Sequence, residues 1–152
     1  MLFFKKKLPI GTETINENRS HKPDASEPLT LPELDEVIKN RISTIQKEFS
    51  DGFNFIKQHP KTVSFFGSAR TIETEDDYKN AYELARQVSA LGYTVITGGG
   101  TGVMAAANRG AFDEKGQSVG FTIELPHEQS TNAYLNGTLS FKYFFARKVA
   151  II

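Results

Sequence analysis

Between Tyr93 and Met104 the chain reads YTVITGGGTGVM, a β-branched run followed by four glycines among the five residues Gly98–Gly102 and then by helix-forming residues. This is the pattern of a β-strand that turns sharply into a helix N-terminus. Glycine there lets the backbone come close to an anion, and the unpaired N–H groups and dipole of the following helix favour negative charge. The competing reading is a tight turn that binds nothing. Against it, so many glycines weaken a turn entropically, so their presence points to a ligand, and phosphate is the natural one.

The surrounding pattern sets the fold class. From Thr62 onward short β-rich runs alternate with helical ones, as in an α/β domain with a parallel sheet and crossover helices. Thr62–Phe66 reads as the first strand, ending in Gly67-Ser68-Ala69-Arg70. Asp76 and Asp77 open a helix whose apolar positions Tyr82, Leu84, Ala85, Val88 and Leu91 lead to Gly92 as C-cap. Tyr93–Thr97 is the second strand, 102–114 a helix, Ser118–Ile123 the third strand, Leu139–Phe144 a fourth, and a last helix starts at Ala146. Both glycine-containing turns then fall at the carboxyl edge of the sheet, where open α/β folds place ligands.

Upstream, residues 1–30 are polar and aperiodic and read as a mobile arm. Residues 31–60 carry a capping box, Thr30-Leu-Pro-Glu33, and then Leu34, Ile38, Ile42, Ile45, Phe49, Phe53 and Ile56 at helical spacing. One long amphipathic helix results, suited to covering a sheet face or a partner subunit. Residues 61–152 read as the unit that binds the phosphate-bearing ligand, a nucleotide being the expected one.

A formal net charge of +0 removes the electrostatic footprint of a duplex-binding or membrane-surface protein, so neither nucleic acid nor membrane is an expected partner. With no cysteine there is neither a disulfide framework nor a thiolate metal site, and the expected compartment is the cytoplasm. No metal site and no cofactor is expected.

One alternative follows from the turn itself. Gly100-x-Gly102-x-x-Ala105 fits the dinucleotide fingerprint, with Glu124 after the next strand as a ribose-binding acid, which keeps an NAD-dependent oxidoreductase open. Against it, the turn follows the second strand rather than the first. A Walker-type NTPase is disfavoured because no Lys follows the glycines.

Taken together, Phe66-Gly67-Ser68-Ala69-Arg70, Gly98–Met104, Ala106-Ala107-Asn108, Glu124-Leu-Pro-His-Glu128 and Phe145-Ala146-Arg147-Lys148 resemble the LOG family, the cytokinin riboside 5′-monophosphate phosphoribohydrolases. The resemblance runs from about Val63 to Ile152. It implies a Rossmann-like three-layer parallel sheet and a homodimer when full length. The implied activity is hydrolysis of the N-glycosidic bond of a nucleoside 5′-monophosphate, AMP or a cytokinin riboside monophosphate, to free base and ribose 5-phosphate. A module that binds or senses the nucleotide without cleaving it is the other reading.

Transferred position by position, Gly67 and Ser68 lie along the nucleotide, Gly99, Gly100, Thr101 and Gly102 wall the ribose phosphate, and Met104 sits beneath it. Arg147 is the catalytic or orienting residue, with Lys148 beside it as a substrate contact. His127 and Glu128 are base-side candidates, whereas His21 and His59 carry no signal. Members are often labelled lysine decarboxylase, but no pyridoxal-phosphate signature surrounds Lys148. The family continues past the Arg-Lys helix into a Pro-Gly-Gly-x-Gly-Thr turn and a catalytic Glu, so the fold is expected to be incomplete at its C-terminus here.

Overall fold

The computed structural model describes residues 28–125 and 131–152. The expected arm therefore lies almost wholly outside the described residues, as do His21, His127 and Glu128. The elements are α1 (Leu31–Gln58), β1 (Thr62–Ser64), α2 (Asp76–Ala90), β2 (Thr94–Thr97), α3 (Val103–Asp113), β3 (Ser118–Ile123), β4 (Gly137–Phe141) and α4 (Phe144–Ile151). At the start of α1 the Glu33 carboxylate accepts the Thr30 N–H at 2.8 Å and its hydroxyl at 2.6 Å, which holds the Glu33 carboxyl below its ordinary pKa.

The strands form one parallel sheet in the order β1-β2-β3-β4. This is the α/β Rossmann-like architecture expected. Successive residues of a strand point to opposite faces, and β2 shows the result. Val95 joins Phe65, Ala85, Ala107 and Ala111 under α2 and α3, while Ile96 joins Val119, Phe121, Phe141, Ala146, Ala150 and Ile151 on the side of α1 and α4. Helices α2 and α3 share a face because right-handed crossovers that step along the sheet in one direction stay on one side. The link from β3 to β4 also joins parallel strands, yet its described parts contain no helix.

Several boundaries differ from the sequence reading, with β1 ending at Ser64 rather than Phe66 and β4 at Phe141 rather than Phe144; two of the starts are explained by hydrogen bonds. β4 begins at Gly137 rather than Leu139 because Asn136 exchanges bonds with Ser118. The Asn136 N–H donates to the Ser118 carbonyl at 2.9 Å and Asn136 Oδ1 accepts the Ser118 N–H at 2.8 Å. α4 begins at Phe144 rather than Ala146, where buried Glu48 of α1 accepts the N–H groups of Lys142 (2.6 Å) and Tyr143 (3.1 Å), the two residues just before the helix, and so fixes the chain at its entry with a carboxylate supplied from another helix. Gly92 does end α2 as expected: Tyr93 N–H donates to Val88 O at 3.1 Å and Gly92 N–H to Ser89 O at 2.9 Å, a Schellman pair.

α2 and α3 pack closely because Gly110 has no side chain. A Cβ there would overlap the Tyr82 carbonyl. Polar bridges border the contact, with the Tyr82 hydroxyl donating to Asp113 at 3.0 Å and Arg86 donating to Glu114 at 3.1 Å. Helix propensity alone favours Ala over Gly by about 1 kcal/mol. We expect the opposite sign here: Gly110→Ala should destabilise the domain by about 1–3 kcal/mol through overpacking. Chemical denaturation of both proteins checks this, and a stabilised variant would show that the helices are free to separate.

Candidate functional site

The glycine turn lies between β2 and α3. Gly99 and Gly102 adopt φ of 74° and 67°, and at Gly102 a Cβ would also overlap the Ser68 carbonyl. Any other residue there meets both backbone strain and a steric block. The two predicted turns are locked together at this point. The Val103 N–H donates to the Ser68 carbonyl at 3.0 Å, and the Thr101 hydroxyl donates to the Ala69 carbonyl at 2.7 Å.

A buried polar network supports the turn from below. The Thr97 hydroxyl donates to Asn108 Oδ1 at 2.6 Å and accepts the Gly99 N–H at 2.8 Å. Asn108 Nδ2 donates to Ser118 Oγ at 3.0 Å. Asn132 Nδ2 reaches both Asn108 Oδ1 (2.9 Å) and the Gly100 carbonyl (3.0 Å), and the Asn132 N–H donates to the Gly99 carbonyl at 2.9 Å. Thr97, Asn108 and Ser118 are fully buried, where polar groups are stable only when paired.

Above this network opens a cleft of about 330 Å³ lined by Ala69, Gly98, Gly99, Gly100, Thr101, Met104, Thr122, Ile123, Thr131 and Arg147. Met104 packs directly on the turn, its sulfur 3.0 Å from the position a Cβ on Gly98 would take. The Arg147 guanidinium comes in from α4, with Nη2 3.4 Å from that same position, and lies over the Phe144 ring at 5.2 Å. Among the described residues it has no carboxylate partner. Desolvation lowers its pKa from the ordinary arginine value. Arginine stays protonated regardless, so the cleft holds a partly dehydrated positive charge that no described residue neutralises. Among the described residues the N–H groups of Gly100, Thr101, Met104 and Ala105 have no protein acceptor. A cation and free amides at the head of a helix are the donor set of an anion site.

Of the residues singled out in the sequence, Gly99, Gly100, Thr101, Met104 and Arg147 come together around the cleft. Gly67, Ser68 and Gly102 stand one layer back as the joint between the two turns, where the Ser68 hydroxyl accepts the Arg70 N–H at 3.1 Å. Lys148 is exposed on α4 and does not line the cleft. Glu124, the acid a dinucleotide fingerprint would use, is likewise exposed and outside the lining. The sequence reading gave no role to Asn132, Thr122 or Thr131, and quoted Asn108 without one. Asn108 carried a signal, since an Asn amid alanines on the buried face of a helix needs partners. Asn132 carried none, because its partners are largely backbone atoms brought near by the crossover.

A model of the SLOG cluster4 family matches residues 60–148. The chain belongs to this family. The LOG resemblance read from the motifs agrees with the SLOG assignment. Among solved structures, the X-ray structure of TM1055 is 26% identical over 59% of this chain and 52% of its own, with a TM-score of 0.47. The Moco carrier protein from Chlamydomonas reinhardtii is 26% identical over 57% and 50% (TM-score 0.42), and a further structure of that molybdenum cofactor carrier is 27% identical over 53% and 47% (TM-score 0.40). The chain thus spans about half the length of the solved structures it matches. A search of curated proteins finds no match.

Within this SLOG domain the support beneath the turn depends on one shared side chain, Asn108. Asn108→Ala would leave Thr97, Ser118 and Asn132 without their shared partner, at a cost of about 2–4 kcal/mol. Thermal melting of the variant checks this, and a melting temperature equal to the parent's would remove Asn108 from its supporting role.

Proposed function

We propose that the cleft binds a nucleoside 5′-monophosphate by its phosphate and that the site serves hydrolysis of the N-glycosidic bond. The observation that supports this most is the half-buried Arg147 guanidinium lying on the glycine turn with no carboxylate partner among the described residues. A phosphate placed against Gly99–Thr101 would accept the free N–H groups of the turn and of the α3 N-terminus and would neutralise Arg147. The ribose and base would extend along the sheet edge. The SLOG assignment and the LOG-like motifs favour a nucleotide over a simple anion.

In the reaction the C1′–N bond breaks, the base leaves with a proton, and water adds at C1′ to give ribose 5-phosphate. The transition state has oxocarbenium character, which calls for a carboxylate near the anomeric carbon. The cleft lining has no carboxylate among the described residues, so the acid must come from outside that lining. Arg147 and the turn would contribute binding and orientation of the phosphate, energy that positions C1′ for attack. The second reading, a nucleotide-binding module without cleavage, is favoured by the same composition of the cleft.

Calorimetry with AMP and adenosine, together with chromatography for released adenine, separates these readings. AMP should bind and adenosine should bind far more weakly. Arg147→Ala should weaken AMP binding by about 1.5–3 kcal/mol, roughly 10- to 150-fold. Adenine release supports hydrolysis, whereas AMP binding without release supports the binding module. NAD binding tighter than AMP would replace both with the dinucleotide reading, and equal affinity for AMP and adenosine would remove the phosphate from the site.

A further inference from the structure

Helix α1 precedes the segment matched by the SLOG model, and its first half is not packed against any other described element. Residues 31–43 are exposed throughout, an overhang of about 20 Å at the helical rise. Yet this half is not polar. Leu31 is 79% exposed, Leu34 41%, Ile38 45% and Ile42 58%, all on one stripe that continues through Ile45 and Phe49 to Phe53 at 54%. The stripe runs into an apolar groove lined by Ile42, Ile45, Gln46, Phe49, Ser50 and Phe53.

The spacing of the stripe is informative. Leu31, Leu34, Ile38, Ile42, Ile45, Phe49, Phe53 and Ile56 follow intervals of three, four and four residues, an 11-residue repeat. That repeat corresponds to about 3.67 residues per turn, so the stripe runs almost straight along the helix and suits another helix laid along it. A half-helix of this length without tertiary packing is marginal in water. The charges at its border distinguish a helix partner from a lipid surface, because an interfacial helix carries Lys and Arg on its polar face, whereas this segment carries Glu33, Asp35 and Glu36 as well as Lys39 and Arg41.

We propose that α1 is a self-association helix that pairs antiparallel with α1 of a second copy about a two-fold axis near Ile38. A two-fold interface must be self-complementary, and this register is. It sets Ile38 on itself, Leu34 on Ile42 and Leu31 on Ile45. Asp35 and Lys39 border the same edge of the stripe, and in an antiparallel pair like edges meet, so Asp35 of each copy comes beside Lys39 of the other.

Sedimentation velocity of the full chain over a wide concentration range tests this. The expected result is a two-chain mass that Ile38→Glu and Ile42→Glu reduce to one chain. Both sites are exposed and Glu is a good helix former, so the fold is retained, and unchanged AMP affinity and circular dichroism verify that. Asp35→Lys should weaken the dimer, and Lys39→Asp added to it should restore the parent's mass distribution. A single-chain mass for the parent, or a two-chain mass that survives both glutamate variants, would overturn the proposal. So would a single-chain protein whose stripe binds phosphatidylglycerol vesicles, which would assign the face to lipid. Failure of the charge swap to restore association would overturn the antiparallel register.

Discussion

The side chain of Asn108, fully buried on α3, ties together the end of β2, the start of β3 and the crossover that leads to β4. Each of these segments arrives at the site by a different route, and Asn108 bonds to all of them. The glycine turn in particular has almost no side chains with which to pack. Its shape is set through Thr97 and Asn132, both of which reach Asn108. A network of this kind is stable in a low-dielectric interior because every member is paired, and it specifies one arrangement because few alternatives would pair them all.

The cleft is built from two faces of one sheet with different tasks. The face under α2 and α3 is close-packed around small residues, with Ala85, Ala107, Ala111 and Gly110 letting the helices approach. The face toward α1 and α4 is filled by aromatic rings, with Phe121 5.3 Å from Phe55 and 5.4 Å from Phe141. From the first face comes the α3 N-terminus with its free N–H groups. From the second comes α4 with its guanidinium. An anion held at the carboxyl edge would therefore touch both layers at once, as expected where an open parallel sheet ends.

Much of this was legible because the relevant signals were local. Alternation of β-rich and helical runs, the glycines and Gly92 each act within a few residues, and they identified the parallel sheet, the turn and the end of α2. The SLOG assignment agrees with the motif resemblance for the same reason, since those motifs are short and contiguous. What escaped the sequence depended on contacts between distant segments. The start of β4 is set by Asn136 against Ser118, the start of α4 by Glu48 from α1, and the closure of the turn by Asn132. Lys148 and Arg147 are adjacent in sequence, but a helix turns about 100° per residue and carries only one of them into the cleft.

Glu48 has a consequence for where the working unit begins. It belongs to α1, upstream of the segment that the SLOG model matches, yet its carboxylate holds the N–H groups of Lys142 and Tyr143, the two residues that lead into the helix that carries Arg147. The only cation among the described residues that line the cleft is thus levelled from a helix outside the segment the family model matches. Cutting the chain at the family boundary would keep every lining residue and lose the bracket that aims one of them. The smallest piece that preserves the geometry of the cleft is accordingly longer than the piece that preserves its motifs.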